Sequence, residues 1–243
     1  HISGVNKCSC GNDLANCEFW GAISHQYSDS LKQLSNWRQI CKEKEAHSNI
    51  PKYLVSKKEV KVYSNIQERL FSTISEEINK NWILDSSKYI GRYLLLKRNK
   101  NLQLKGIYVV RDVRGVITSF KKQVQTSRNP LSTIFYYLIV NATAQWVCWT
   151  DHNVTKVRYE DFMEDPEKVL RQVYDKISSD LNEEVALPEE FVMPHIIGGN
   201  RMRSQNKIKL LYDVKWKWEL SMWQKALYYC LASPIMLLNG YRI

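Results

Sequence analysis

The sequence predicts an α/β fold: a single domain over residues 1–243, with a central parallel β-sheet flanked by helices. Three observations carry this expectation. Short runs of strand character at residues 82–85, 107–110 and 155–159 each end in polar or charged side chains. Between them lie segments of helical character, the alternation that joins parallel strands through crossovers. The hydrophobic content, 44% of 243 residues, is enough for one substantial core.

Each element has its own signal. Phe19 and Trp20 form an aromatic plug after a cysteine cluster. The run Ser28-Asp29-Ser30 reads as a helix start, with Leu31, Leu34 and Cys41 as a partial apolar face. Residues 47–58 are polar with one proline and read as a loop. Tyr63, Ile66, Leu70, Ile74 and Ile78 recur at three- and four-residue steps, an amphipathic helix running to about Asn79. A buried strand is expected at 82–85, a helix at 89–100 and the next strand at 107–110. Pro130 opens a long helix towards Trp149. After the strand at 155–159, Asp165-Pro166-Glu167 marks another helix start, with a capping aspartate and proline at the first helical position. Residues 195–203 form a glycine-bearing basic loop, and 216–238 give one or two terminal helices.

Charge narrows the partners. Lys and Arg number 35 against 25 acidic residues, a formal net charge of +10, which favours anionic ligands; a generally basic surface is the plain alternative. A nucleic-acid binder would interleave exposed aromatics with its basic face, whereas here the aromatics fall on predicted helix faces. The most apolar run, residues 226–238, contains Ser233 and Pro234 and is too short to span a bilayer. Cys8, Cys10 and Cys17 cluster, but no fourth ligand is evident and paired Cys-x-x-Cys spacing is absent. A local disulfide or buried thiols account for them better than a metal, so none is expected.

Chemistry gathers in four places: Asp85-Ser-Ser-Lys88, Arg111 to Ser119, Tyr159-Glu-Asp161, and Gly198-Gly-Asn-Arg201-Met-Arg203. Three of these follow strands, and in open α/β sheets ligands bind at the strands' carboxyl ends. Arg111 offers a planar fork for an anion, and Ser119 a hydroxyl eight residues on. The stretch alone fits a phosphate site and a structural Arg111–Asp112 ion pair equally well.

Taken together, Asp85-Ser-Ser-Lys88, Val110-Arg-Asp-x-Arg-Gly-x-x-x-Ser119, Val157-Arg-Tyr-Glu-Asp-Phe-Met-Glu-Asp-Pro166, His195-x-x-Gly-Gly-Asn-Arg-Met-Arg203 and Gly240-Tyr241 stand in a family's order over nearly the whole chain. The sequence resembles the sulfotransferases that use 3′-phosphoadenosine 5′-phosphosulfate (PAPS), particularly the bacterial and carbohydrate-type branch. Cys8-Ser-Cys10-Gly and Cys17-Glu-Phe-Trp20 look like that branch too. The resemblance implies a P-loop NTPase-like sulfotransferase fold and transfer of a sulfuryl group to a hydroxyl or amine of an acceptor, a carbohydrate or small metabolite. Adenosine 3′,5′-bisphosphate (PAP) would be left behind, and no metal is required.

It also implies roles by position. Arg111 and Ser119 match the pair that grips the 3′-phosphate, Tyr159 an aromatic near the adenine (or simply a core tyrosine), and Arg201 and Arg203 a late basic loop over the same phosphate. Lys88 and Asp85 fall where the family places groups near the sulfuryl centre. Lys88 would stabilise transferring charge; Asp85 would be a general base or, more plainly, a helix cap. The family's Gly-x-x-Arg-Ser-Gly-Thr-like phosphosulfate loop is not among these residues, and family order puts it, with the first strand, before the cysteines. Missing sequence, an omitted region or a degenerate relative would each explain this, and the sheet's need for a first strand favours missing sequence. The competing function is a nucleotide- or sulfated-glycan-binding relative that has lost transfer. A cytoplasmic enzyme is expected, with a removed upstream membrane anchor as the alternative.

Overall fold

A computed structural model describes residues 7–31, 37–56, 58, 60–121, 129–177, 186–196 and 207–243. The chain divides into two units, residues 1–104 with 192–206, and residues 105–191 with 207–243.

The first unit is helical. Helices α1 (Glu18–Leu31), α2 (Trp37–Lys44), α3 (Ile50–Val55), α4 (Lys61–Ile78) and α5 (Ile90–Leu96) bury Cys17, Ile23, Ile50, Tyr53, Tyr63, Ile74 and residues 94–96. The periodicity of α4 is as expected, and the helix ends at Asn79, whose φ of 48° is left-handed, a conformation asparagine tolerates at a helix terminus. The contact between α5 and the chain at Glu45 is close: a Cβ on Gly91 would lie 2.7 Å from the Glu45 carbonyl oxygen.

Three expectations change here. Residues 28–30 lie inside α1, because that helix starts after Cys17 and runs through the serines. Residues 47–55 are not a loop but a 3-10 turn followed by α3, with Pro51 in the first helical turn, where its missing N–H costs nothing. Residues 82–85 form no strand; Trp82 and Leu84 are exposed. A short apolar run becomes a strand only beside a partner, and here Asp85 instead draws the chain into a turn by accepting the Ser87 N–H at 2.8 Å.

The second unit contains the predicted α/β element. Strand β1 (Gly106–Val110) pairs in parallel with β2 (Val154–Arg158), in register from Gly106 opposite Val154 to Val110 opposite Arg158. The connection runs through α6 (Val113–Lys121) and α7 (Pro130–Thr150), and α7 packs on both strands. Asn129 caps α7 by accepting the Ser132 N–H at 2.7 Å. Tyr159 is not the end of β2 but the first residue of α8 (Tyr159–Glu164). Helix α9 (Pro166–Ile177) starts as its sequence requires, Asp165 accepting the Lys168 N–H at 3.1 Å. Residues 216–238 form three short helices, α10 (Trp216–Glu219), α11 (Met222–Leu231) and α12 (Ser233–Leu238), because Leu220 and Ala232 leave helical geometry. Among the described residues the parallel sheet therefore has two strands rather than three. Its buried side carries Tyr108, Val110, Thr155 and Val157, while Ile107 and Val109 are exposed. No helix among the described residues is long and apolar enough to cross a membrane.

Candidate functional site

In the second unit the chemistry starts where β1 stops. Val110 is wholly buried, and the next two residues turn the chain into α6. Asp112 is buried and caps that helix, accepting the Arg114 N–H at 2.8 Å. The same carboxylate takes the Arg114 guanidinium through Nε at 3.0 Å and Nη2 at 2.7 Å. Arg114 is held further by the Arg242 carbonyl and by the faces of Trp216 and Tyr229, 4.2 and 5.5 Å from its guanidinium carbon. Asp112 is thus the brace of the turn, and its ion-pair partner is Arg114 rather than Arg111.

Glu160, at the start of α8, ties the two strand ends together. One oxygen accepts the Asp112 N–H at 3.1 Å and the other the Tyr241 hydroxyl at 2.6 Å. Burial and the Glu160 carboxylate both push the Tyr241 hydroxyl well above the usual tyrosine range. Neither Glu160 nor Tyr241 was singled out as a site residue from sequence. Their signals were the acidic residue after Tyr159 and the closing Gly240-Tyr241 pair.

Arg111 is placed differently. Its Nη2 donates to the Asp213 carbonyl at 2.7 Å and lies 3.5 Å from the Asp213 carboxylate. Its guanidinium carbon sits 4.4 Å over the Tyr159 ring, which in turn meets Tyr212 edge-on and accepts the Asp213 N–H at its hydroxyl. Gly115 makes room, since a Cβ there would stand 2.9 Å from Arg111 Nε. Ser119 is half-buried one turn further along α6; Gly115 and Ser119, four residues apart, share a helix face. Arg111 and Tyr159 therefore meet, and Ser119 lies on the helix face against which Arg111 rests. A rigid guanidinium, one-fifth exposed, makes no hydrogen bond through Nε or Nη1 to the described residues. Its two spare donors suit a tetrahedral anion. Arg201 and Arg203 lie outside the described residues.

In the first unit, Asp85 and Lys88 flank a closed network. Arg92 donates through Nε to Asp85 at 2.7 Å, through Nη1 to Glu45 at 2.8 Å and through Nη2 to Gln67 at 2.9 Å. Tyr63 donates to the same Glu45 oxygen at 2.6 Å. Burial raises the Asp85 pKa, but the Arg92 charge and the Ser87 N–H outweigh it and hold the carboxyl below its usual range. With one oxygen on Ser87 and the other on Arg92, Asp85 suits holding the turn better than abstracting a proton. It does not cap α5, which has no side-chain cap bond. Lys88 is exposed.

A second cluster in this unit was not expected. Cys8, Cys10, Cys17 and His195 converge so that one ligand atom from each lies within 4.8 Å of all the others. All three thiols are free, and the Cys10–Cys17 sulfurs stand 3.8 Å apart in hydrogen-bonding contact, so no local disulfide links them. Burial raises the Cys8 thiol, yet the Cys10 N–H and the neighbouring hydroxyl and thiols bring it down to about 6. His195, read from sequence as part of the basic loop, is the fourth group that could not be identified there.

A family model described as "Sulfotransferase family" matches residues 22–183, more than half of the chain. No curated protein and no solved structure gives a significant match.

Proposed function

The chain belongs to the sulfotransferase family, and from that premise we propose that it moves a sulfuryl group from PAPS to a hydroxyl or amine of an acceptor. The observation that carries the cofactor assignment is Arg111, held at the carboxyl end of a parallel strand between Tyr159 and Gly115 with two donors left for an anion. Arg111 and the Ser119 hydroxyl bind the 3′-phosphate, and Arg201 and Arg203 add charge to the same group. Tyr159 acts chiefly by fixing the plane of the Arg111 fork, because one face of its ring is already covered by that guanidinium.

The transfer is an in-line displacement. A bond forms from the acceptor oxygen or nitrogen to sulfur as the bond from sulfur to the 5′-phosphate oxygen breaks. The acceptor loses its proton, and PAP leaves with the electron pair. Such a reaction depends mainly on positioning and on cations that offset charge at the leaving phosphate. Lys88 is the candidate for that charge, and Asp85 positions it through the 85–87 turn.

A second reading, a nucleotide binder without transfer, is favoured by one observation: both oxygens of Asp85 are engaged, leaving that carboxylate unsuited to act as base. Calorimetric titration with PAP and with adenosine 5′-monophosphate tests the cofactor site. The protein should prefer PAP, and Arg111→Ala should abolish the preference; a preference that survives would sink the assignment. PAPS consumption with a panel of hydroxyl and amine acceptors separates enzyme from binder.

A further inference from the structure

The first unit holds a four-ligand cluster that sulfuryl transfer does not use, and its geometry is that of a metal site. In a tetrahedral zinc site with Zn–S near 2.3 Å and Zn–N near 2.0 Å, ligand atoms stand about 3.8 Å apart for two sulfurs and about 3.5 Å for sulfur and nitrogen. Here Cys10 Sγ and Cys17 Sγ are 3.8 Å apart, Cys8 Sγ and His195 Nδ1 3.6 Å, and Cys17 Sγ and His195 Nδ1 3.2 Å. We propose that Cys8, Cys10, Cys17 and His195 bind one structural zinc ion.

Three features besides the spacing support it. Cys8 and Cys17 are buried and point their sulfurs at the same imidazole nitrogen. The backbone is shaped around the sulfurs: Cys8 N–H donates to the Asn12 carbonyl and Gly11 N–H to the Cys8 carbonyl, closing a knuckle in which Gly11 has φ +88°. Cys17 stands directly before α1, with the Trp20 N–H 3.5 Å from its sulfur, and such a donor near a helix start offsets thiolate charge. The segment that carries His195 is also fixed independently of any metal. Ser9 bonds backbone to backbone with Ile196, its hydroxyl donates to the Pro194 carbonyl, and Trp20 Nε1 donates to the His195 carbonyl at 2.9 Å.

The donor set chooses the ion. Three thiolates and one imidazole in a tetrahedron favour zinc, whereas magnesium and calcium take oxygen ligands. Four protein ligands close the coordination sphere, so the ion is structural and has no position left for substrate. Each thiol releases its proton to solvent as its sulfur bonds the metal. The zinc would staple residues 194–196 to the N-terminal knuckle, joining ligands 178 to 187 positions apart.

The test uses the full chain, purified without chelator and dialysed, with zinc measured by inductively coupled plasma mass spectrometry. About one zinc per chain is expected, as for a closed four-ligand site, released when a mercurial titrates the thiols. Cobalt(II) in place of zinc should give intense tetrahedral visible bands with thiolate charge transfer. Cys17→Ser and His195→Ala should lose the retained zinc, and His195→Cys, which keeps a four-ligand sulfur set, should hold it. Because the zinc count and cobalt spectrum are read on the unmutated chain, misfolding of a variant cannot decide the matter. A metal-free chain, an octahedral cobalt spectrum, a Cys10–Cys17 disulfide in the purified protein, or zinc retained by both Cys17→Ser and His195→Ala overturns the proposal.

Discussion

Arg92 and Arg111 are each surrounded by acidic and aromatic neighbours, yet one is closed and the other open. Arg92 uses all three of its nitrogens on Asp85, Glu45, Tyr63 and Gln67, with its side chain 12% exposed. Arg111 rests on the Tyr159 ring and uses Nη2 on Asp213. The contrast separates stability from binding. A guanidinium whose three nitrogens are all engaged by protein acceptors is a structural cross-link, because a ligand gains little over what the protein already supplies. One oriented by stacking, whose Nε and Nη1 make no hydrogen bond among the described residues, has the donors that the proposed anion site requires.

The largest expected effect that tests this contrast is Arg92→Ala. Removing one partner from a largely buried ion-pair network costs about 3–5 kcal/mol, so urea unfolding should show a loss of that order, with the melting temperature falling by roughly 2–4 °C for each kcal/mol. An unfolding midpoint within error of the parent would break the assignment of Arg92 as a cross-link. Arg111→Ala should do the reverse. It loses charge-assisted bonds of about 1.5–3 kcal/mol, roughly a 10- to 100-fold weaker Kd for PAP at 1.4 kcal/mol per tenfold, with little change in stability.

A smaller effect is expected at Gly115→Ala. The new methyl would press on Arg111 Nε and shift the end of a flexible side chain rather than backbone, so PAP affinity should fall several-fold. Alanine is favoured over glycine within a helix by up to about 1 kcal/mol, which keeps stability level or slightly raised. Titration and thermal melts on the same sample would show the split; equal losses in both would remove the distinction.

The smallest effect is a pH dependence. The folded pKa of Asp85 is depressed, so its ion pair stabilises the fold above the unfolded aspartate value near 3.9. That contribution is lost as pH falls from there through the folded pKa. Asp85→Asn should therefore be less stable than the parent at neutral pH, the two converging in acid below that value. A difference that stays constant from neutral pH into that window would remove Asp85 from the network.

How much of this was legible beforehand depends on distance along the chain. The strand and turn at 106–112 were readable because Val109 and Val110 favour a strand and the charged Arg111-Asp112 ends it, whereas the helix that follows, capped by Asp112, was not read. The Asp165-Pro166 start was equally local. The strand expected at 82–85 failed because an apolar tripeptide does not say whether a neighbour will pair with it. The helix at 50–55 was missed because polar neighbours masked a proline well placed in a first turn.

By itself, then, the sequence determined the strands at 107–110 and 155–158, the helix starts at Pro130 and Asp165-Pro166 and the family motifs, since each of these rests on residues within a few positions of one another. Only the tertiary structure decided which arginine is closed and which open, and that His195 completes the three-cysteine cluster. Each of those outcomes depends on which partner stands a few ångströms away in space, and local propensity carries no record of that.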